Sequence, residues 1–156
     1  MLAVKLTKRA KSGSVAATLD TALHIGEHPF PRVVVPPAAS GQWGVVTWAV
    51  TASGKSPARD FFDGLSKQDR AKMQALFQRF AETGWIKTKE RFRNLGKVNG
   101  QRLWEFKSHQ LRFLGALGSR EFVVAHAFKK KQDRHRQTDL ERAARVLVEH
   151  SERETS

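Results

Sequence analysis

Cysteine is absent from the 156 residues, which excludes disulfides and thiolate-held metals and is compatible with a reducing compartment. A membrane-spanning stretch is also lacking. Val33–Gly54 carries no Lys, Arg, Asp or Glu, but Pro36-Pro37, the glycines and serines after them, and Gln42 do not suit a spanning helix. The N-terminus has basic residues without the continuous apolar core of a secretion signal. The chain reads as a cytoplasmic protein with no membrane partner. Familiar catalytic signatures are missing too: there is no GxxxxGK, GxSxG, HExxH or dinucleotide fingerprint. Acidic residues are scarce, with 28 Lys and Arg against 15 Asp and Glu, for a formal charge of +13.

That charge is unevenly placed. Residues 85–136 hold fourteen Lys/Arg against four acids, a net +10. Residues 1–42 carry +3, residues 43–84 carry +2 and residues 137–156 carry −2. The surplus therefore falls on one internal segment and not on a basic tail. This is the footprint of a face that binds a polyanion, with nucleic acid the leading partner class. The plainer alternative is a solvated basic surface that aids solubility.

Length allows one compact domain plus a tail. Residues 1–42 are small, polar and proline-containing, and read as a flexible extension or as a start codon placed too far upstream. Val15–Ile25 could form a short helix within it. His24 and His28 are four apart but lack a third ligand, so no metal site is assigned. The domain is expected over 43–150, with 151–156 a frayed end. Trp43–Thr51 is rich in Trp, Val and Thr and reads as a strand. Pro57 suits a helix start, and Ala58, Phe61, Phe62 and Leu65 follow helical spacing. Ser66 with Asp69 caps a second helix whose stripe is Met73, Leu76, Phe77 and Phe80, ended by Gly84.

Trp85–Lys97 reads as a basic connector with Trp85 and Phe92 interleaved. Asn99-Gly100 marks a turn. Three strands then follow: Arg102–Ser108, Leu111–Leu117 after a three-residue turn, and Glu121–Phe128 after a Gly118-Ser119 turn. The last is apolar on both faces, so it is placed centrally. Thr138 with Glu141 reads as a capping box for a C-terminal helix bearing Leu140, Ala143, Ala144 and Leu147. Helices and strands are segregated along the chain. The pattern predicts an α+β domain with a mainly antiparallel sheet of about four strands, two N-terminal helices and a C-terminal helix.

The candidate chemistry sits on that sheet. Leu103, Glu105 and Lys107 share one face of their strand, and Arg112 shares a face with Leu114 and Ala116. If the register sets Arg112 beside Glu105 or Lys107, an acid and two cations converge. A ribonuclease needs little more, because RNA carries its own nucleophile in the 2′-OH. The protein must take a proton, stabilise phosphate charge and protonate the leaving oxygen. The competing reading is an ordinary cross-strand ion pair from Glu105 to Lys107 or Arg112. Periodicity does not fix the register, so both stand. His109 reads as an exposed turn residue and His126 as a satisfied core residue.

The succession RLWEFKSHQLRFLGAL, then FVVAHAFKKK, then DLERAARVL resembles the HigB/RelE superfamily of type II toxins, in its phage-derived HigB-like branch. The counterparts are Leu103 to Lys107, Arg112, His126 to Lys130, and Ala143-Ala144. The likeness covers about residues 43–150 and rests on order and spacing more than on any single motif. It implies a RelE-like fold and an endoribonuclease that cleaves mRNA, usually on the ribosome, without metal or other cofactor. It also implies a cognate antitoxin, often a helix-turn-helix protein. Carried over by position, Arg112 and Lys107 resemble phosphate-stabilising groups, and Glu105 or His135 would serve as base or acid. Lys129, Lys130, Lys131, Arg134 and Arg136, with Arg91 and Arg93 of the connector, resemble RNA-binding residues. The chain has no tyrosine, so the tyrosine of several members is missing. His135 could substitute for it. A second reading is a non-catalytic RNA- or ribosome-binding module on the same scaffold. A third is a structural protein whose basic face takes an acidic partner.

Overall fold

A computed structural model of the chain describes residues 35–131 and 137–155. The sequence readings at Val15–Ile25, His24, His28, Arg134, His135 and Arg136 lie outside the described residues. In chain order the elements are β1 (Ala39–Ser40), β2 (Val45–Trp48), α1 (Pro57–Asp63), α2 (Lys67–Thr83), β3 (Phe92–Val98), β4 (Gln101–Ser108), β5 (Leu111–Gly118), β6 (Glu121–Lys129) and α3 (Gln137–Thr155). The strands form one sheet in the order β1-β2-β6-β5-β4-β3. Every pairing is antiparallel except β2 with β6.

Local chemistry accounts for the element ends. Pro57 occupies the first turn of α1, where a missing N–H leaves no bond unmade. Ser66 Oγ accepts the Asp69 N–H at 3.1 Å and so caps α2. Gly84 closes α2, its N–H donating to the Phe80 carbonyl at 2.7 Å. Asn99 and Gly100 both have positive φ, 49° and 81°, as a two-residue type I′ hairpin demands. The other two hairpins turn on His109-Gln110, two residues where a three-residue turn was expected, and on Ser119-Arg120, one residue on from the expected Gly118-Ser119. Helix α3 begins at Gln137, which puts Thr138 inside its first turn and not at its cap.

Six strands form where about four were expected. Strand β1 lies within residues 1–42 and pairs Ala39 with Val46. Strand β3 lies in the segment read as a connector. Its apolar residues Phe92, Leu95 and Val98 are three apart, which hides a strand's period of two. A bulge causes this: Asn94 pairs with Trp104 but Gly96 pairs with Leu103, leaving Leu95 extra. Phe92 then packs on one face of the sheet while Leu95 and Val98 pack on the other.

The sheet separates two cores. Against one face, α1 and α2 enclose Val46, Trp48, Phe77, Phe80, Phe106, Phe113 and Phe122. The rings meet mostly edge to face, with Phe77 5.2 Å from Phe106 and 5.6 Å from Phe113 between centroids. Such pairs add about 0.5–1.5 kcal/mol each beyond their buried area. Against the other face, Ala143, Ala144, Val146 and Leu147 of α3 pack on Ala49, Leu103, Leu114 and Ala125. Strand β6 lies inside the sheet between β2 and β5, as its doubly apolar pattern predicts. Among the described residues, no helix is long and apolar enough to cross a membrane.

Candidate anion-binding site

Strand register decides which charges meet. Strands β4 and β5 pair without interruption, setting Lys107 opposite Arg112 and Glu105 opposite Leu114. Two bulges flank this regular ladder and bring the remaining groups to the same face. Counting back from the Asn99-Gly100 turn, an unbroken β3 would set Arg93 opposite Phe106, on the α2 face. The extra Leu95 sets it opposite Glu105 instead. In β6, Leu114 pairs with His126 but Gly115 pairs with Val124, leaving Ala125 extra. That bulge puts His126 and Phe128 on the α3 face, with Phe128 opposite Arg112. A one-residue slip exchanges the two faces of a strand, so without the bulges this cluster would be divided between them. The close approach of β5 to β6 also needs Gly115. A Cβ there would lie 2.0 Å from the Val123 carbonyl oxygen and 2.7 Å from the Phe122 ring.

Glu105 has no exposed surface and is the centre of the cluster. Arg93 Nε donates to its Oε1 at 2.9 Å, and Arg112 Nε lies 3.8 Å from its Oε2. Arg112 is buried. Its Nη1 donates to the carbonyls of His109 at 2.6 Å and Leu111 at 2.9 Å. Its Nε, also buried, has no hydrogen-bond partner among the described residues. Lys107 is half-buried. Burial, and then the charges of Arg93 and Arg112, push its amine below the ordinary lysine range, while Glu105 acts the other way. Burial likewise lowers the Arg112 guanidinium from its usual value. One carboxylate thus faces three cations, and the surplus positive charge favours an anion.

The other candidate residues divide. The backbone N–H of Lys107 donates to the Arg91 carbonyl at 2.9 Å, so exposed Arg91 continues the ladder opposite Lys107. Lys130 is buried, donates its backbone N–H to the Gln110 carbonyl at 2.7 Å, and is close enough to depress the Lys107 amine. Lys129 is exposed and pairs with Leu111, whose side chain packs into the α2 core. It therefore falls on the far face from Arg112. Lys131 is exposed. Among the described residues, no group of three or more His, Asp or Glu side chains is placed to hold a metal ion.

Sequence reasoning put Glu105 and Lys107 on one face and left the register of Arg112 open; the structure sets Arg112 opposite Lys107 and 3.8 Å from Glu105. It gave Glu105 a proton-transfer role, whereas the buried carboxylate is held by two guanidiniums and orients them. It did not pair Arg93 with Glu105, because that pairing depends on the bulge. It also lacked a partner for His126, whose Nε2 lies 2.9 Å from Asp139 Oδ1 of α3. His126 stacks on Phe128 with centroids 5.6 Å apart.

Three helices on a six-stranded, mostly antiparallel sheet with a cationic cluster on one face define an α+β domain compatible with the RelE-like fold. Residues 60–148 match the family described as phage-derived protein Gp49-like (DUF891), and with more than half the chain matched, the protein belongs to that RelE/HigB-like toxin family. The match spans α1 to α3 and so includes every residue of the cluster. No curated protein matches the chain.

Proposed function

We propose that the protein is the toxin of a type II toxin–antitoxin pair and acts as a metal-independent endoribonuclease on mRNA, in the cytoplasm and on the ribosome. The observation that carries this reading is the convergence of Arg93, Lys107 and Arg112 around buried Glu105. A phosphodiester seated there would meet fixed donors whose positions are already set before it arrives. The 2′-oxygen of the RNA would attack the adjacent phosphorus as the bond to the 5′-oxygen breaks. The products would be a 2′,3′-cyclic phosphate and a 5′-hydroxyl, with water taking the 2′-OH proton and supplying one to the departing 5′-oxygen. Arg112 would stabilise the charge that builds on the phosphoryl oxygens. Lys107 would pair its charge with the same phosphate. Glu105 would keep Arg93 and Arg112 aimed. A helix-turn-helix antitoxin is the partner that would hold the chain inactive.

Induced expression with mapping of transcript ends tests this, with and without the neighbouring gene. Lys107→Gln is expected to lower cleavage about 10²–10³-fold while melting like the parent. Arg112→Ala should abolish both cleavage and growth arrest. Full toxicity in either folded variant would refute the assignment. A second reading, a non-catalytic RNA-binding module, draws support from the burial of Glu105 and the absence of tyrosine from the chain. It predicts salt-sensitive RNA binding with no cut ends.

A further inference from the structure

A large aromatic ring left in water needs an account when the backbone around it is fixed. Trp85 is 53% exposed. Its backbone is pinned on both sides. Thr83 Oγ1 accepts the Trp85 N–H at 3.3 Å and donates to the Trp85 carbonyl at 2.8 Å. Ile86, the next residue, is buried in the α2 core. The ring itself is braced from behind, edge-on to Phe92 at 6.0 Å between centroids. Phe92 in turn lies nearly parallel to Trp104 at 5.1 Å and 12°. Trp85 is thus held as the outermost of three packed rings, its position set by groups beneath and beside it.

Its surroundings are cationic. Lys87, Lys89 and Arg91 follow it and are all exposed, with Glu90 the single acid among them. The Thr88 carbonyl accepts the N–H groups of both Arg91 and Phe92 at 3.0 Å, tightening the turn that presents them. The segment then leads into β3, where Arg91 and Arg93 turn to the face of Lys107 and Glu105 while Phe92, with the Trp85 ring on it, lies on the α2 face. A rigid ring flanked by positive charge suits the mixed surface of single-stranded nucleic acid, whose bases stack while its phosphates pair with cations. An apolar protein patch would stack on the ring but would strip water from the three cations without pairing them.

We propose that Trp85 is a base-stacking platform for single-stranded RNA at the β3 edge of the sheet, holding an unpaired base of a strand whose phosphates pair with Lys87, Lys89 and Arg91. This deepens the proposed function and rests on it for RNA as the ligand. The site takes a nucleobase with little preference for its identity, since every base offers a flat face.

The test uses the full chain carrying Lys107→Gln, so that bound RNA survives, and a short unstructured RNA with an abasic RNA of equal length. Trp85→Leu is expected to weaken binding of the ordinary RNA about tenfold and to leave abasic RNA binding unchanged. Trp85→Phe should restore most of the loss. The salt dependence of binding should keep its slope in Trp85→Leu, because stacking releases no counterions, whereas Arg91→Gln should make it shallower. Equal affinity of parent and Trp85→Leu, equal losses on both RNAs, or failure of the parent to bind the ordinary RNA would each overturn the platform. Absence of cleavage by the chain with Lys107 intact would strike the nuclease reading alone and leave the platform standing.

Discussion

At the scale of single residues, the informative side chains are polar groups buried with a partner. Alternation along β4 was enough to put Glu105 on the Lys107 face, but it carried no information about depth. His126 was legible as a satisfied core residue from its apolar strand. Its partner Asp139 was not, because nothing in a strand's pattern points to a helix thirteen residues on. The His126 ring is pushed below its ordinary value of 6.5 by burial, with the Asp139 hydrogen bond and charge opposing. The folded chain therefore sheds this proton at a lower pH than the unfolded chain does. Between those two values the unfolded state holds the proton and the folded state does not, so stability is full above the unfolded value and falls as pH drops beneath it. Urea midpoints taken from about pH 8 to about pH 5 should show this loss in the parent and a smaller one in His126→Gln, whose amide can still donate to Asp139. Parallel curves for the two proteins would show that His126 does not contribute to the acid sensitivity.

At the scale of elements, regular features were readable and irregular ones were not. Helix α2, with its cap, its stripe and its terminal glycine, was legible because each signal is local. Strand β4 was legible from its alternation, and β5 and β6 from apolar runs bounded by turn residues. Strand β3 was missed because the extra Leu95 breaks the alternation, and the same bulge sets Arg93 against Glu105. The irregularity that hid the strand is thus the one that completes the cluster. The bulge in β6 makes a parallel case, and Gly115 is where it can be probed. Gly115→Ala would drive a Cβ into the Val123 backbone and should destabilise the fold by about 1–3 kcal/mol. Gly118→Ala, at the end of the same strand, would place its Cβ at an ordinary 3.6 Å from the Glu121 carbonyl oxygen and should change stability by under about 0.5 kcal/mol. Denaturant midpoints for the two variants measure the difference. Equal midpoints would mean that β5 and β6 can separate at the bulge without loss.

At the scale of the whole molecule, the question is whether binding follows the net charge or its placement. The chain carries +13, and a diffuse surplus of that size attracts any polyanion. Under the proposed function the contacts are instead few and local, at Arg91, Arg93, Lys107 and Arg112. Each phosphate contact on a single strand contributes about 0.7 to the slope of log affinity against log salt. Two variants of equal charge separate the cases. Lys107→Gln with Arg91→Gln removes two cations from the cluster and should make the slope shallower by about 1.4. Arg59→Gln with Arg153→Gln removes two from α1 and from the last turn of α3, outside the cluster, and should leave the slope nearly unchanged. The measurement is titration of a labelled single-stranded RNA at several salt concentrations, with a thermal melt of each variant to establish folding. Equal changes in the two pairs would mean that the RNA senses only the overall charge, and the convergence on Glu105 would then serve the sheet and not a ligand.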